Sequence, residues 1–303
     1  MLVLALARIG PEWFDQAGAV LVAAVYTSAL AIRTGGRPLV FGGLAVVLGV
    51  LTVTGPYDRL RAGAAVLTAV CAAVLAVMAT VPAQRFKQAV REVLIAIGIS
   101  TVGAMAVIGF RPVVALDRFD YLSLVFAFGL VFALVFRLGA GWHGLGRRGL
   151  AVVLVGSLSL GLSLAYAETL RRYGSASFID SVFDAVRWTR SNLGAVPRPI
   201  MVLVGFPALV WGCHMRARRR QGWWVCAFGV AATVSITGGL MNPATSLVEA
   251  VLIVAYALPL GLALGYGVVR LDLMLTGSRG SRARREEEAS ALRPEPGRWE
   301  ALL

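Results

Sequence analysis

Lysine is almost absent from this chain of 303 residues, since Lys87 is the single lysine among 29 basic side chains. No lysine follows it, so a retinal Schiff base in the later apolar segments is excluded. The same absence excludes a Walker A loop, because that motif needs a lysine to contact the nucleotide phosphates.

Cysteine and histidine are also scarce. Cys71, Cys213 and Cys226 lie within or at the ends of apolar segments, and an odd count without C-x-x-C spacing does not indicate a disulfide framework. We interpret them as small buried hydrophobic side chains. His143 and His214 have no carboxylate or cysteine neighbours at ligand spacing, so we expect no metal site, no cofactor and no catalytic residue among them.

Hydrophobic residues, by contrast, make up 58% of the chain, and the mean hydropathy is +0.77. These values are typical of membrane proteins and not of soluble domains. A helix needs about 20 apolar residues to cross a bilayer, and about 17 suffice. Nine runs are candidates for such helices: 16–32, 38–54, 62–81, 93–110, 121–138, 150–167, 199–213, 223–240 and 248–269.

These runs predict an all-α, polytopic membrane protein with nine transmembrane helices, because an isolated strand in lipid leaves its backbone groups unpaired. We expect three parts: a short interfacial segment over 1–15, a helical bundle over 16–275, and a charged tail over 276–303. The tail is rich in charge and poor in periodicity, so we predict that it is disordered or forms a short charged helix in the cytoplasm.

The distribution of basic residues predicts the orientation. With the N-terminus outside, the loops on the side of the C-terminus hold nearly two-thirds of the arginine and lysine side chains. The stretch "CHMRARRRQGWWVC" is then a cytoplasmic turn flanked by interfacial tryptophans. The sequence therefore predicts an outside N-terminus and an inside C-terminus in the cytoplasmic membrane of a bacterium.

The basic loops suggest contacts with anionic groups rather than with nucleic acid, which needs a basic soluble surface with interleaved aromatic residues. Such clusters attract acidic phospholipids. A glycine-rich loop, "GAGWHGLGRRG", could also form a backbone nest for a phosphate; a flexible turn is the alternative. The candidate headgroup or phosphate contacts are Arg147, Arg148, Arg216, Arg218, Arg219 and Arg220.

Glu249 lies about one turn inside the ninth apolar run, where an ionisable residue usually faces the protein interior or a water-filled cavity. Asn242 and Pro243 precede it, and Pro259 interrupts the helix beyond it. These residues suggest a polar pocket open to the outer side. The alternative is that Glu249 faces water at the level of the headgroups.

The long loop over 168–198 contains apolar residues at helical spacing, and Ser177 and Gly194 are suitable start and stop signals. This pattern predicts an amphipathic helix on the outer membrane surface. Asp180 and Asp184 lie one turn apart on its polar face and are further candidates for a substrate pocket. Pairing of Asp184 with Arg187 on a solvated surface is the alternative.

Three functions are compatible with these patterns. The first is a transporter or flippase-like protein that handles a lipid-linked or small apolar substrate in the cell envelope. The second is a non-enzymatic scaffold or assembly subunit with a membrane-protein partner. The third is a membrane-embedded enzyme that acts on a lipid-linked substrate through outer carboxylates. We rank them in this order, and we expect no enzymatic activity.

Overall fold

A computed structural model describes residues 13–138, 154–163, 165, 176–217, 221–276 and 295–302. Every regular element in these ranges is a helix. The helices are α1 (Trp13–Arg33), α2 (Pro38–Thr54), α3 (Asp58–Met78), α4 (Phe86–Gly109), α5 (Leu116–Arg137), α6 (Leu154–Ser163), α7 (Ala176–Leu193), α8 (Phe206–Arg216), α9 (Gly222–Ala227), α10 (Val230–Met241) and α11 (Leu247–Thr276).

The predicted all-α class is confirmed for the described residues, and six helical stretches are long and apolar enough to cross a membrane. These are α1, α3, α4, α5, the stretch Gly222–Met241 formed by α9 and α10, and α11 up to Leu275. The other three predicted runs correspond to shorter apolar helices, namely α2, α6 and Ile200–Arg216. With 17 residues, α2 extends about 26 Å, slightly less than a hydrocarbon core of roughly 30 Å.

Several helices begin before the apolar run that predicts them. Asp58, Phe86 and Leu116 each start a helix four to seven residues ahead of the corresponding run. Apolar composition marks the part of a helix that suits a lipid environment, whereas the backbone hydrogen bonds continue through polar residues at the ends. These apolar runs are therefore shorter than the helices that they predict.

The stretch α9–α10 lies at the centre of the bundle, and 83% of the residues in its most apolar part are buried. Helices α3, α4, α5 and α8 pack around it, and α1 with α2 and α11 lie further out. Small residues allow helices to approach closely. At Gly205, for example, an added Cβ would lie only 2.4 Å from the backbone nitrogen of Ala232 in α10. Outward-facing apolar residues are common on α2, where Leu39 is 90% exposed, as expected of a lipid-facing surface.

A π-helical turn, Ile200–Gly205, precedes α8. Pro207 has no backbone N–H and cannot donate a hydrogen bond to the preceding turn. The N–H of Phe206 donates to the carbonyl of Met201, five residues earlier, as in a π-helix. Such wide turns are rare and are often found at functional sites. Arg198 lies two residues before this turn, and its carbonyl accepts a 3.0 Å hydrogen bond from the N–H of Met201.

Part of the predicted charged tail lies within the described residues. Residues 295–302 form a non-helical segment that lies against the bundle, and we call it the C-terminal segment. The Leu302 N–H donates a 3.0 Å hydrogen bond to the carbonyl of Arg33. The sequence did not predict this contact, because it depends on partners that lie far away in the sequence, namely Arg33, Glu92 and Arg216. Residues 1–12, 277–294 and 303, which complete the predicted terminal segments, lie outside the described ranges.

Candidate binding sites at the two ends of the bundle

A cavity of about 200 Å³ opens between α5, the π-helical turn and α10. We call it the end cavity. Its polar lining consists of Asp117, Asp120, Tyr121, Arg198 and Ser235, and its apolar lining of Leu124, Ile200 and Val234. Charges of both signs thus meet apolar side chains in one concave site, which is the usual composition of a small-molecule pocket.

Asp120 is half-buried one turn inside α5, and its carboxylate has no hydrogen-bond partner among the described residues. It lies against the backbone of α10, so that a Cβ added at Gly238 would come within 2.1 Å of Oδ1. Any larger residue at position 238 would occupy the space that the carboxylate fills. Asp120 is also part of the lining of the end cavity, which is where a ligand can reach it.

Arg198 contributes the positive charge of the end cavity. Its Nη1 donates a 3.0 Å hydrogen bond to the carbonyl of Ser235, which holds the side chain against α10. A guanidinium carries five N–H donors, and the others of Arg198 make no further bond with the described residues. The end cavity consequently presents the carboxylates of Asp117 and Asp120 and the guanidinium of Arg198. Asp120 and Arg198 keep hydrogen-bonding capacity that no described residue fills.

A second charged site lies at the opposite end of the bundle, because Arg198 and Arg216 flank the same helical stretch, which is roughly 25 Å long. Here the C-terminal segment covers Arg33, Glu92 and Arg216, and we call these three residues the clasp cluster. All three side chains are buried. Buried charges are stable only when paired and hydrogen-bonded, so the origin of each partner matters.

Arg33 ends α1 with its side chain fully buried. Its Nε donates to the carbonyl of Met78 at 2.9 Å, and its Nη1 donates to the carbonyls of Gly297 and Glu300 at 2.6 and 2.8 Å. Two of these three acceptors belong to the C-terminal segment. The segment thus caps the end of α1 through one arginine.

Arg216 ends α8 and combines bundle and segment contacts. Its guanidinium donates to the hydroxyl and the carbonyl of Thr80 at 2.7 and 3.0 Å, and it lies 3.4 Å from the centroid of the Trp223 ring. Glu295 accepts from Nε at 3.3 Å and from Nη2 at 2.5 Å. This two-point geometry is the strong form of an arginine–carboxylate pair.

Glu92 is the acidic member of the clasp cluster, and its side chain is fully buried in α4. Its carboxylate accepts from the N–H of Val81 at 3.0 Å and pairs with Arg298 at 2.8 Å and with Arg91 at 3.0 Å. Arg298 also donates to the carbonyl of Ala79 at 2.7 Å. Each buried charge of the cluster therefore has at least one partner in the C-terminal segment.

The predicted pocket residues do not line the end cavity. Glu249 forms a 3.0 Å ion pair with Arg190 of α7, and its side chain is 17% exposed. The side chain of Asn242 accepts from the N–H of Ala244 in the turn before α11. These contacts place Glu249 and Asn242 on the same side of the molecule as the end cavity but outside its lining.

The amphipathic helix predicted for the long loop is present as α7. Asp180 is exposed, and Asp184 pairs with Arg187, which is the surface pairing that we gave as the alternative. The hydroxyl of Tyr256 donates to the carbonyl of Leu193 at 2.9 Å and attaches the end of α7 to α11. The two aspartates are thus not brought together with Asp120.

The predicted headgroup contacts divide in two. Arg147, Arg148, Arg218, Arg219 and Arg220 lie outside the described residues. Arg216 is 5% exposed and already binds a carboxylate of its own chain, so in this structure it does not face a lipid surface. Its position at the end of an apolar helix suggested exposure, but Thr80, Glu295 and the Trp223 ring enclose it.

Sequence reasoning missed Asp120, Arg198, Arg33 and Glu92. Each lies at or near the boundary of an apolar run, where a charged side chain facing water and one facing the bundle give the same pattern. Asp120 lacked the signal that Glu249 carried, because it lies one residue before its apolar run whereas Glu249 lies inside one. Among the described residues, no group of three or more histidine, cysteine or acidic side chains is arranged to hold a metal ion.

The helices and the two sites define an all-α protein with several helices suited to a membrane. A scan against protein-family models finds no match to this chain, and searches of curated proteins and of solved structures find none either.

Proposed function

We propose that this chain is a multi-pass protein of a bacterial cytoplasmic membrane that handles a lipid-linked substrate in a transporter- or flippase-like role. The end cavity is the observation that carries the proposal. Its volume of about 200 Å³ is below the roughly 300–1,000 Å³ typical of whole-ligand pockets. It suits the polar head of an amphiphile whose apolar part lies outside among the helices.

The unused carboxylate of Asp120 and the unused donors of Arg198 support a substrate head that both donates and accepts hydrogen bonds. A bidentate guanidinium contact favours a carboxylate or phosphate group, and Asp120 favours an amine or hydroxyl group. Leu124, Ile200 and Val234 provide the adjoining apolar wall. Few other ionisable groups lie within the apolar helices, which fits an amphiphile better than an ion.

The proposed topology has nine spans with the N-terminus outside. The positive-inside distribution supports it, and so do the contacts, because Arg33, Thr80, Glu92 and Arg216 meet at one end. The cavity residues lie at the other end, which this threading places outside. The three shorter apolar helices, α2, α6 and Ile200–Arg216, complete the nine.

Native mass spectrometry of protein extracted gently from its own membrane tests the proposal. We expect a discrete bound lipid-linked molecule in the wild type and its loss in Asp120→Asn and in Arg198→Gln. Asp184→Asn is the matched control, since this exposed aspartate pairs only with Arg187 among the described residues. Equal retention in all variants, or no adduct in any, would contradict substrate binding in the end cavity.

A scaffold role is the second candidate, and the exposed apolar side chains of α7 favour it. Phe183 is 52% exposed and Trp188 is 62% exposed, and such side chains often contact a partner or a membrane surface. A second polypeptide at fixed stoichiometry, without a specific lipid, in the same spectra would favour this role over substrate handling.

A further inference from the structure

The clasp cluster has hydrogen-bonding capacity that the C-terminal segment does not fill. The side chain of Arg33 is fully buried, yet its Nη2 has no hydrogen-bond partner among the described residues. A buried donor on a charged group is costly when it is unpaired. An additional acceptor at this position would therefore be favourable.

The two arginines of the cluster also have contacts that do not involve the C-terminal segment. Arg33 donates to the carbonyl of Met78, and Arg216 donates to Thr80 and packs on the Trp223 ring. These bundle contacts help to preorganise both guanidinium groups for an anion.

The attachment of the C-terminal segment is mainly polar. Trp299 is 56% exposed, and Leu302 is the single apolar side chain of the segment that packs partly buried against the core. Glu295 binds Arg216 as a free anion would, with one oxygen on Nε and the other on Nη2. The segment thus depends on contacts that a competing anion can replace.

We propose that the clasp cluster is a phosphate-binding site and that Glu295 occupies the place of the phosphate in this structure. A phosphate group has more acceptor oxygens than a carboxylate, so it has oxygens left for a further donor, such as Nη2 of Arg33, once the Arg216 donors are filled. Because Glu295 occupies the Nε and Nη2 donors of Arg216, phosphate binding there releases the C-terminal segment. The headgroup of an anionic phospholipid and free phosphate share this chemistry.

Hydrogen–deuterium exchange of residues 295–302 tests the proposal on the full chain in nanodiscs. In neutral lipid, inorganic phosphate should accelerate exchange of these amides at least tenfold relative to chloride of equal ionic strength. Nanodiscs containing phosphatidic acid, without added phosphate, form the second arm. Acceleration by free phosphate assigns the free anion, and acceleration by the lipid alone assigns the headgroup. Unchanged exchange in both arms would overturn the proposal.

Two variants identify the site. Arg33→Gln should remove the response to phosphate, because the unfilled donor is lost. Glu295→Gln should exchange faster without phosphate and should bind phosphate more tightly, because the competing carboxylate is gone. Since Arg33→Gln could fail to fold, Glu295→Gln decides on its own: a phosphate affinity equal to that of the wild type would show that the two anions do not compete.

Discussion

At the scale of single residues, the end cavity depends on the absence of a side chain at Gly238. A Cβ there would lie 2.1 Å from Oδ1 of Asp120, whereas a Cβ at Gly239 would meet only the guanidinium of Arg198, with Nη2 at 3.8 Å and Cζ at 3.9 Å. Gly238→Ala should therefore displace the carboxylate and reduce substrate retention at least tenfold. Gly239→Ala should leave retention unchanged. Mass spectra of the two variants provide the comparison, and equal retention would place the substrate elsewhere.

The buried charge of Glu92 gives a second residue-scale prediction. Glu92→Ala leaves Arg298 and the N–H of Val81 without their carboxylate, and breaking a buried pair in this way costs roughly 3–5 kcal/mol. Arg91→Ala removes a partner that is 62% exposed, so the loss should be below about 1 kcal/mol. Unfolding in detergent measures both. Similar stability of the two variants would show that Glu92 is not a buried, paired charge.

At the scale of elements, the C-terminal segment should stabilise the end of the bundle that it covers. Truncation after residue 294 removes Glu295, Arg298 and two carbonyl acceptors of Arg33. We expect a lower melting temperature and faster amide exchange around Met78 and Glu92, with partial recovery in phosphate. Trp299→Ala is the control, because this side chain is largely exposed. A truncated protein as stable as the wild type would contradict the account of the clasp.

The ion pair between α7 and α11 should contribute much less to stability than the C-terminal segment does. Arg190 is 57% exposed in its ion pair with Glu249, and exposed pairs contribute roughly 0–1 kcal/mol. Glu249→Gln should thus change unfolding stability by less than about 1 kcal/mol and leave substrate retention intact. Loss of the substrate in this variant would instead support the pocket that the sequence suggested around Glu249.

The elements themselves were largely predictable, since every apolar run contains or overlaps a helix within the described residues. Which helices and side chains pack against each other was not predictable. Hydropathy indicates which stretches avoid water, but it does not indicate which face of a helix packs against which neighbouring helix. The docking of Glu295 on Arg216 joins residues 79 positions apart through two charged groups, and no local periodicity encodes such a pair.

At the scale of the whole molecule, the charged contacts divide between two ends, with the end cavity at one and the clasp cluster at the other. The sequence predicted this asymmetry only through its basic loops. It could not show that one end holds an open cavity while the other is closed by the chain itself. Both proposals require that the two ends lie on opposite sides of a membrane.

Cysteine labelling in intact cells tests that requirement most directly. The background lacks Cys71, Cys213 and Cys226, and single cysteines replace exposed Asp117 beside the end cavity or exposed Trp299 on the C-terminal segment. We predict that a membrane-impermeant maleimide labels Asp117→Cys in intact cells and labels Trp299→Cys only after permeabilisation. Labelling of both positions from outside, or of Trp299→Cys alone, would contradict the account.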